Sequence, residues 1–173
     1  MGGMIAQELV LRHPQQVKRL ILGCTLCGGP QAIQPPPEVV EKLVAVSPDL
    51  PREEAVRQGW PVVFSPGFRE KRGDFLDSMT KRSLTHPTPL YAMARQMVAI
   101  QSFNTYERLG QITTPTLVIT GDADILVPPA NSKILAERIP GASLQTVPGA
   151  GHGFFWEASQ EVITLIREFL TSA

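Results

Sequence analysis

The sequence predicts an α/β fold built on three parallel strands, with a helical insertion between the first strand and the second. Three observations carry that expectation. Short runs of strand character occur at 17–23, 115–121 and 143–147, two of them continuously apolar. Segments of helical period follow or separate them. Apolar runs that alternate with helices are strands buried on both faces, which is the mark of a parallel sheet.

Taken in order, residues 2–13 read as a helix with Met4, Ile5, Leu9 and Val10 on its apolar side. Gly2, Gly3 and Ala6 keep its first turn thin and allow close backbone approach. Arg12 and His13 fall in the last turn, where cations suit the helix dipole, and Pro14 stops it. His13 is therefore a helix-end residue rather than a ligand. The first strand centres on Leu20-Ile21-Leu22 and ends at Gly23. From Gly28 to about Ile112 the texture changes. Pro30 and Pro35-Pro36-Pro37 open a stretch with charged helical segments near 38–46, 52–60, 67–83 and 88–104, and no strand-like run interrupts it. The expected division is a core of 1–29 and 106–173 and a helical cap of 30–105. The second strand is Pro115 to Gly121; helix 129–139 starts with Pro128 and Pro129 and ends before Pro140. After the third strand, helix 157–171 carries Val162, Ile163, Ile166, Phe169 and Leu170 at the strongest helical period in the chain.

Composition excludes several partner classes. Sixteen Lys+Arg balance 16 Asp+Glu among 173 residues, and no basic stripe argues for nucleic acid or an anionic membrane. No apolar run approaches the roughly 18–20 residues that span a bilayer. The opening residues lack the basic region of a secretory signal, so a cytoplasmic location is expected. Cys24 and Cys27 form a lone C-x-x-C without a second ligand pair. They read as two small apolar residues after a strand, and neither a metal nor a cofactor is expected.

Chemistry is suggested where strands end. In open α/β sheets catalytic side chains sit beyond the carboxyl ends of strands. Thr120-Gly121-Asp122-Ala123-Asp124 closes the second strand, and the apolar Ile125-Leu126-Val127-Pro128 after it turns the loop back into the protein. That favours Asp124 over Asp122 as the inward acid. Either alone would be taken for a turn former. Val147-Pro148-Gly149-Ala150-Gly151-His152-Gly153-Phe154-Phe155-Trp156-Glu157 closes the third, with a histidine between two glycines on a sterically thin loop. Together they are more specific: an acid after one strand, and a histidine after the next strand 28 positions later. A base that must reach both a carboxylate and a nucleophile needs such placement.

G-D-A-D-I-L-V-P-P at 121–129 and P-G-A-G-H-G-F-F-W-E at 148–157 resemble the acid and histidine motifs of α/β-hydrolases, closest to the esterase, enol-lactonase and non-haem haloperoxidase group. Residues 1–23 resemble the helix and strand that follow that family's nucleophile elbow. The resemblance runs through almost the whole chain and is weakest in the cap. It implies the C-terminal part of an α/β-hydrolase sheet, with Asp124 and His152 as catalytic acid and base. It also implies hydrolysis of a small carboxylic ester or lactone by a Ser-His-Asp mechanism. In the elbow pattern G-x-S-x-G, Met1 matches the second x and Gly2 the final glycine, so the serine would stand one position before Met1. The Met1 backbone N–H would then belong to the oxyanion hole. Ser65, Ser78, Ser83 and Ser102 lie in polar or helical contexts and do not replace that serine. Two functions follow: a hydrolase that is truncated or needs a complementing chain, or a non-catalytic binding or assembly module. An uncovered edge at 17–23 predicts a homo-oligomer, through that edge or the 2–13 helix, or pairing with an N-terminal fragment.

Overall fold

Thr116 to Gly121 is buried at every position, so this strand must be covered on both faces and flanked on both edges. The computed structural model describes residues 1–44 and 50–172, and it builds the fold around that strand. In chain order the elements are α1 (Gly2–Arg12), β1 (Leu20–Gly23), α2 (Pro37–Val44), α3 (Arg52–Val63), α4 (Pro66–Lys71), α5 (Gly73–Thr85), α6 (Leu90–Ser102), β2 (Thr116–Gly121), α7 (Ala130–Arg138), β3 (Ser143–Val147), α8 (Phe154–Glu157) and α9 (Ser159–Thr171). Short 3₁₀ turns occupy Pro14–Gln16 and Tyr106–Gln111. The sheet is parallel, in the order β1-β2-β3, with Leu22 opposite Val118 and Ile119 opposite Gln145. Helices α2 to α6 all lie between β1 and β2, and no strand interrupts them among the described residues.

Alternation along the strands divides the core into two layers. Leu20, Leu22 and Val118 face Met4 and Val10 of α1, Leu135 of α7 and the Leu109–Ile112 turn. Leu117, Ile119 and Val147 face Phe154 of α8 and Val162 of α9. A separate aromatic group, Phe64, Phe68 and Leu76 with Trp60 and Phe75 around it, consolidates α3 to α5.

Several expectations are corrected in detail. The first strand starts at Leu20 rather than 17. Helix α1 turns Met4, Gln7 and Val10 inward, leaving Ile5 60% and Leu9 46% exposed. Gln7 is tolerated inside because its amide is fully used. Nε2 donates to Gly3 O and Leu26 O at 3.1 Å each, and Oε1 accepts from Thr105 Oγ1 at 2.7 Å. The thin first turn is needed at Gly3, where a Cβ would lie 2.6 Å from Thr25; Gly2 faces open space. The segment 67–83 breaks at Arg72, which leaves helical geometry (φ −126°, ψ 42°) while its guanidinium covers the rings of Phe68 and Phe75. Helix 157–171 breaks in the same way at Ala158, and only Val162, Ile166 and Phe169 of α9 pack on the sheet. Ile163 and Leu170 are exposed. Positions 45 and 46 of the predicted helix 38–46 lie outside the described residues.

Candidate active site

The loop after β2 folds around one carboxylate. Asp124 Oδ1 accepts from the backbone N–H groups of Leu126 and Val127, each at 2.9 Å. This is the local capture of backbone by an aspartate that turns a chain sharply. Its other oxygen, Oδ2, lies 2.9 Å from His152 Nδ1. The Asp124 side chain is wholly buried, while that of His152 is 30% exposed. Burying a carboxylate is costly unless it is hydrogen-bonded, and here three bonds share the charge. Asp122 is exposed and serves the neighbouring loop, its Oδ1 accepting from Gly149 N at 2.6 Å.

The histidine loop presses close against the end of β2. Ala123 N donates to Ala150 O at 3.0 Å, and a Cβ on Gly121 would lie 2.1 Å from the same oxygen. Only glycine fits there without moving the loop. From its other side the loop is strapped to the α3–α4 junction. Gly153 N donates to Val63 O at 2.7 Å. The Glu157 carboxylate accepts from Gly151 N at 3.0 Å, from Ser65 N at 3.2 and 3.3 Å, and from Ser65 Oγ. Trp156 packs edge-on to Phe64, ring centroids 6.0 Å apart, which extends the seam. Sequence reasoning reached Glu157 as the end of a motif but gave it no role; an acid just past the histidine's aromatic run was the available signal. Glu157→Ala should strand two backbone donors at about 1–3 kcal/mol each, to be read from urea denaturation against wild type.

The other expected residues fall as follows. Met1 precedes α1, and its carbonyl accepts from Met4 N and Ile5 N at 2.9 and 3.1 Å. Burial lowers the pKa of its amine. No hydrogen bond joins it to Asp124 or His152 among the described residues. Ser65 caps α4 and bonds Glu157, Ser83 and Ser102 return their hydroxyls to their own helices, and Ser78 lies exposed on α5. None is hydrogen-bonded to His152.

Cys24 and Cys27 are both buried, as small apolar residues after a strand should be. Cys27 is the small buried residue expected, its thiol donating to Gly28 O at 3.4 Å. Cys24 instead stands directly after β1 with φ 42°, and its sulfur, an Asp124 oxygen and a His152 nitrogen all lie within 4.8 Å of one another. Burial first, and then the Asp124 charge, push its thiol well above the ordinary range, so it is protonated at neutral pH.

Known proteins resemble this chain in sequence and in fold. The family described as serine aminopeptidase, S33, matches residues 1–159. A poly(3-hydroxyalkanoate) depolymerase of Ectopseudomonas oleovorans is 29% identical over 98% of this chain and 58% of its own length. A 2-hydroxy-6-oxononadienedioate/2-hydroxy-6-oxononatrienedioate hydrolase of Cupriavidus pinatubonensis is 30% identical over 98% and 59%. The crystal structure of a hydrolase from Pseudomonas aeruginosa superposes with a TM-score of 0.80 at 25% identity, over 98% of this chain and 62% of that one. The chain thus spans about three-fifths of the length of these relatives. With the match extending over nearly every residue and the fold shared, the chain belongs to the α/β-hydrolase superfamily.

Proposed function

We propose that this protein hydrolyses a small carboxylic ester or lactone, with Asp124 and His152 as the acid and base of a Ser-His-Asp triad. The observation that supports it is the 2.9 Å contact between Asp124 Oδ2 and His152 Nδ1. A buried carboxylate on Nδ1 fixes the tautomer with the proton on that nitrogen and leaves Nε2 with a free lone pair. Nε2 would accept the serine proton during attack on the carbonyl, return it to the leaving alcohol, and then activate water to release the acyl group. Asp124 would stabilise the imidazolium formed at each step. The mechanism also needs a serine and oxyanion donors, and none of Ser65, Ser78, Ser83 and Ser102 is hydrogen-bonded to His152. Helices between β1 and β2 form the cap over the site, and the strap through Glu157 sets its position. A fluorophosphonate probe applied to the active protein should label a serine. Esterase activity that persists without labelling would sink the reading.

A second reading, an assembly module, is supported by the surface. Ile5 and Leu9 of α1 form an apolar groove with Ala99, Ile100 and Phe103, and Leu90, Tyr91 and Val98 of α6 are exposed. β1 has a neighbour on one side only among the described residues. Such a face is commonly a contact with another chain. Sedimentation equilibrium at micromolar concentration should therefore give a mass above 18.9 kDa. A well-behaved monomer would refute the assembly reading while leaving the catalytic one standing.

A further inference from the structure

Each of the three strands sends one potential metal ligand to a common point. Cys24 follows β1, Asp124 follows β2 and His152 follows β3, and a thiol, a carboxylate and an imidazole donor lie within 4.8 Å of one another. Cys24 and Asp124 are buried, and the partly exposed His152 leaves an approach from solvent. Sulfur, nitrogen and oxygen donors in threes, with one side open, suit a tetrahedral Zn²⁺ that keeps its fourth position for water. At metal–ligand distances of about 2.0–2.3 Å the donors would stand roughly 3.3–3.8 Å apart. Asp124 Oδ2 and His152 Nδ1 now stand 2.9 Å apart, and the three donors all lie within 4.8 Å of one another. Asp124 and His152 need only part slightly, and Asp124 can do so because its other oxygen holds the loop.

We propose that Cys24, Asp124 and His152 bind a borderline-soft divalent cation of the Zn²⁺ class, and that the bound cation silences His152 as a base. The silencing half rests on the catalytic reading above; the binding half does not. On binding, the Cys24 S–H bond breaks, a sulfur–metal bond forms, and the thiol proton passes to solvent. Coordination through Nδ1 displaces that nitrogen's proton, the neutral imidazole carries its proton on Nε2 instead, and the lone pair that would accept a proton is lost. No electron is transferred. A protonated thiol is no barrier, because a coordinating metal lowers its pKa enough to deprotonate it.

Co²⁺ alone, then Zn²⁺ alone, would be titrated into the metal-free protein. The expected result is one equivalent of Co²⁺ with a sulfur-to-cobalt charge-transfer band, displaced by Zn²⁺. Cys24→Ser should abolish the band, and His152→Ala should keep it while weakening Zn²⁺ at least about tenfold, the lower end of what even outer-shell changes cost. Cys27→Ser should change neither. Absence of the band, a band that survives Cys24→Ser, or Zn²⁺ affinity unmoved by His152→Ala would overturn the site. Should Cys24→Ser fail to fold by circular dichroism, the His152→Ala titration still decides. Ester hydrolysis that continues at saturating Zn²⁺ would overturn the silencing alone, and absence of any hydrolysis would count against the catalytic reading without touching the cobalt result.

Discussion

His152→Ala is expected to lower ester hydrolysis by a factor on the order of 10⁶, the scale seen when a triad base is removed elsewhere. That corresponds to roughly 8 kcal/mol of barrier. The fold should survive, since the side chain makes a single hydrogen bond, to Asp124, and is partly exposed. Steady-state hydrolysis of a short p-nitrophenyl ester, with circular dichroism as control, is the measurement. Retention of more than about a hundredth of kcat/KM would move the base to another residue, because a peripheral histidine contributes far less than a proton-transferring one.

Asp124 separates catalytic from structural effects by the choice of replacement. Asp124→Asn keeps an oxygen to accept from Leu126 and Val127, but it turns the other side of the group into an amide donor. The imidazole then presents Nδ1 as acceptor and puts its proton on Nε2, the wrong tautomer for a base. Activity should fall about 10⁴-fold, as it does when a triad aspartate elsewhere becomes asparagine, with little change in stability. Asp124→Ala should lose activity too, and also leave two backbone donors without a partner, at about 1–3 kcal/mol each. Urea midpoints measured beside kcat/KM would distinguish them. Equal stability loss in both variants would show that the carboxylate charge, which both remove, rather than the loop bonds, carries the structural weight.

The strands were legible because apolar runs such as Leu117-Val118-Ile119 have few places to go but a covered sheet. The inward face of α1 was not. Periodicity ranks Ile5 and Leu9 above Gln7, yet the core accepts Gln7 once Gly3, Leu26 and Thr105 satisfy its amide, and the last two are distant in sequence. Asp124 was separable from Asp122 because the apolar tail after it demanded an inward loop; the capture of Leu126 and Val127 is that demand in atomic form. Cys24 was illegible for the opposite reason. Its place after the first strand does not separate it from Cys27, and its proximity to Asp124 and His152 arises only when three strand ends align.

The strap between Val63, Ser65 and the residues from Gly151 to Glu157 makes the helical segment and the histidine loop one mechanical unit. A change in α3 or α4 that moves Val63 or Ser65 moves the anchor of the histidine loop. If His152 is the base proposed above, a substitution in α3 or α4 should alter turnover even where it touches no substrate. Grafting the segment from one relative onto another should succeed only when the histidine loop travels with it.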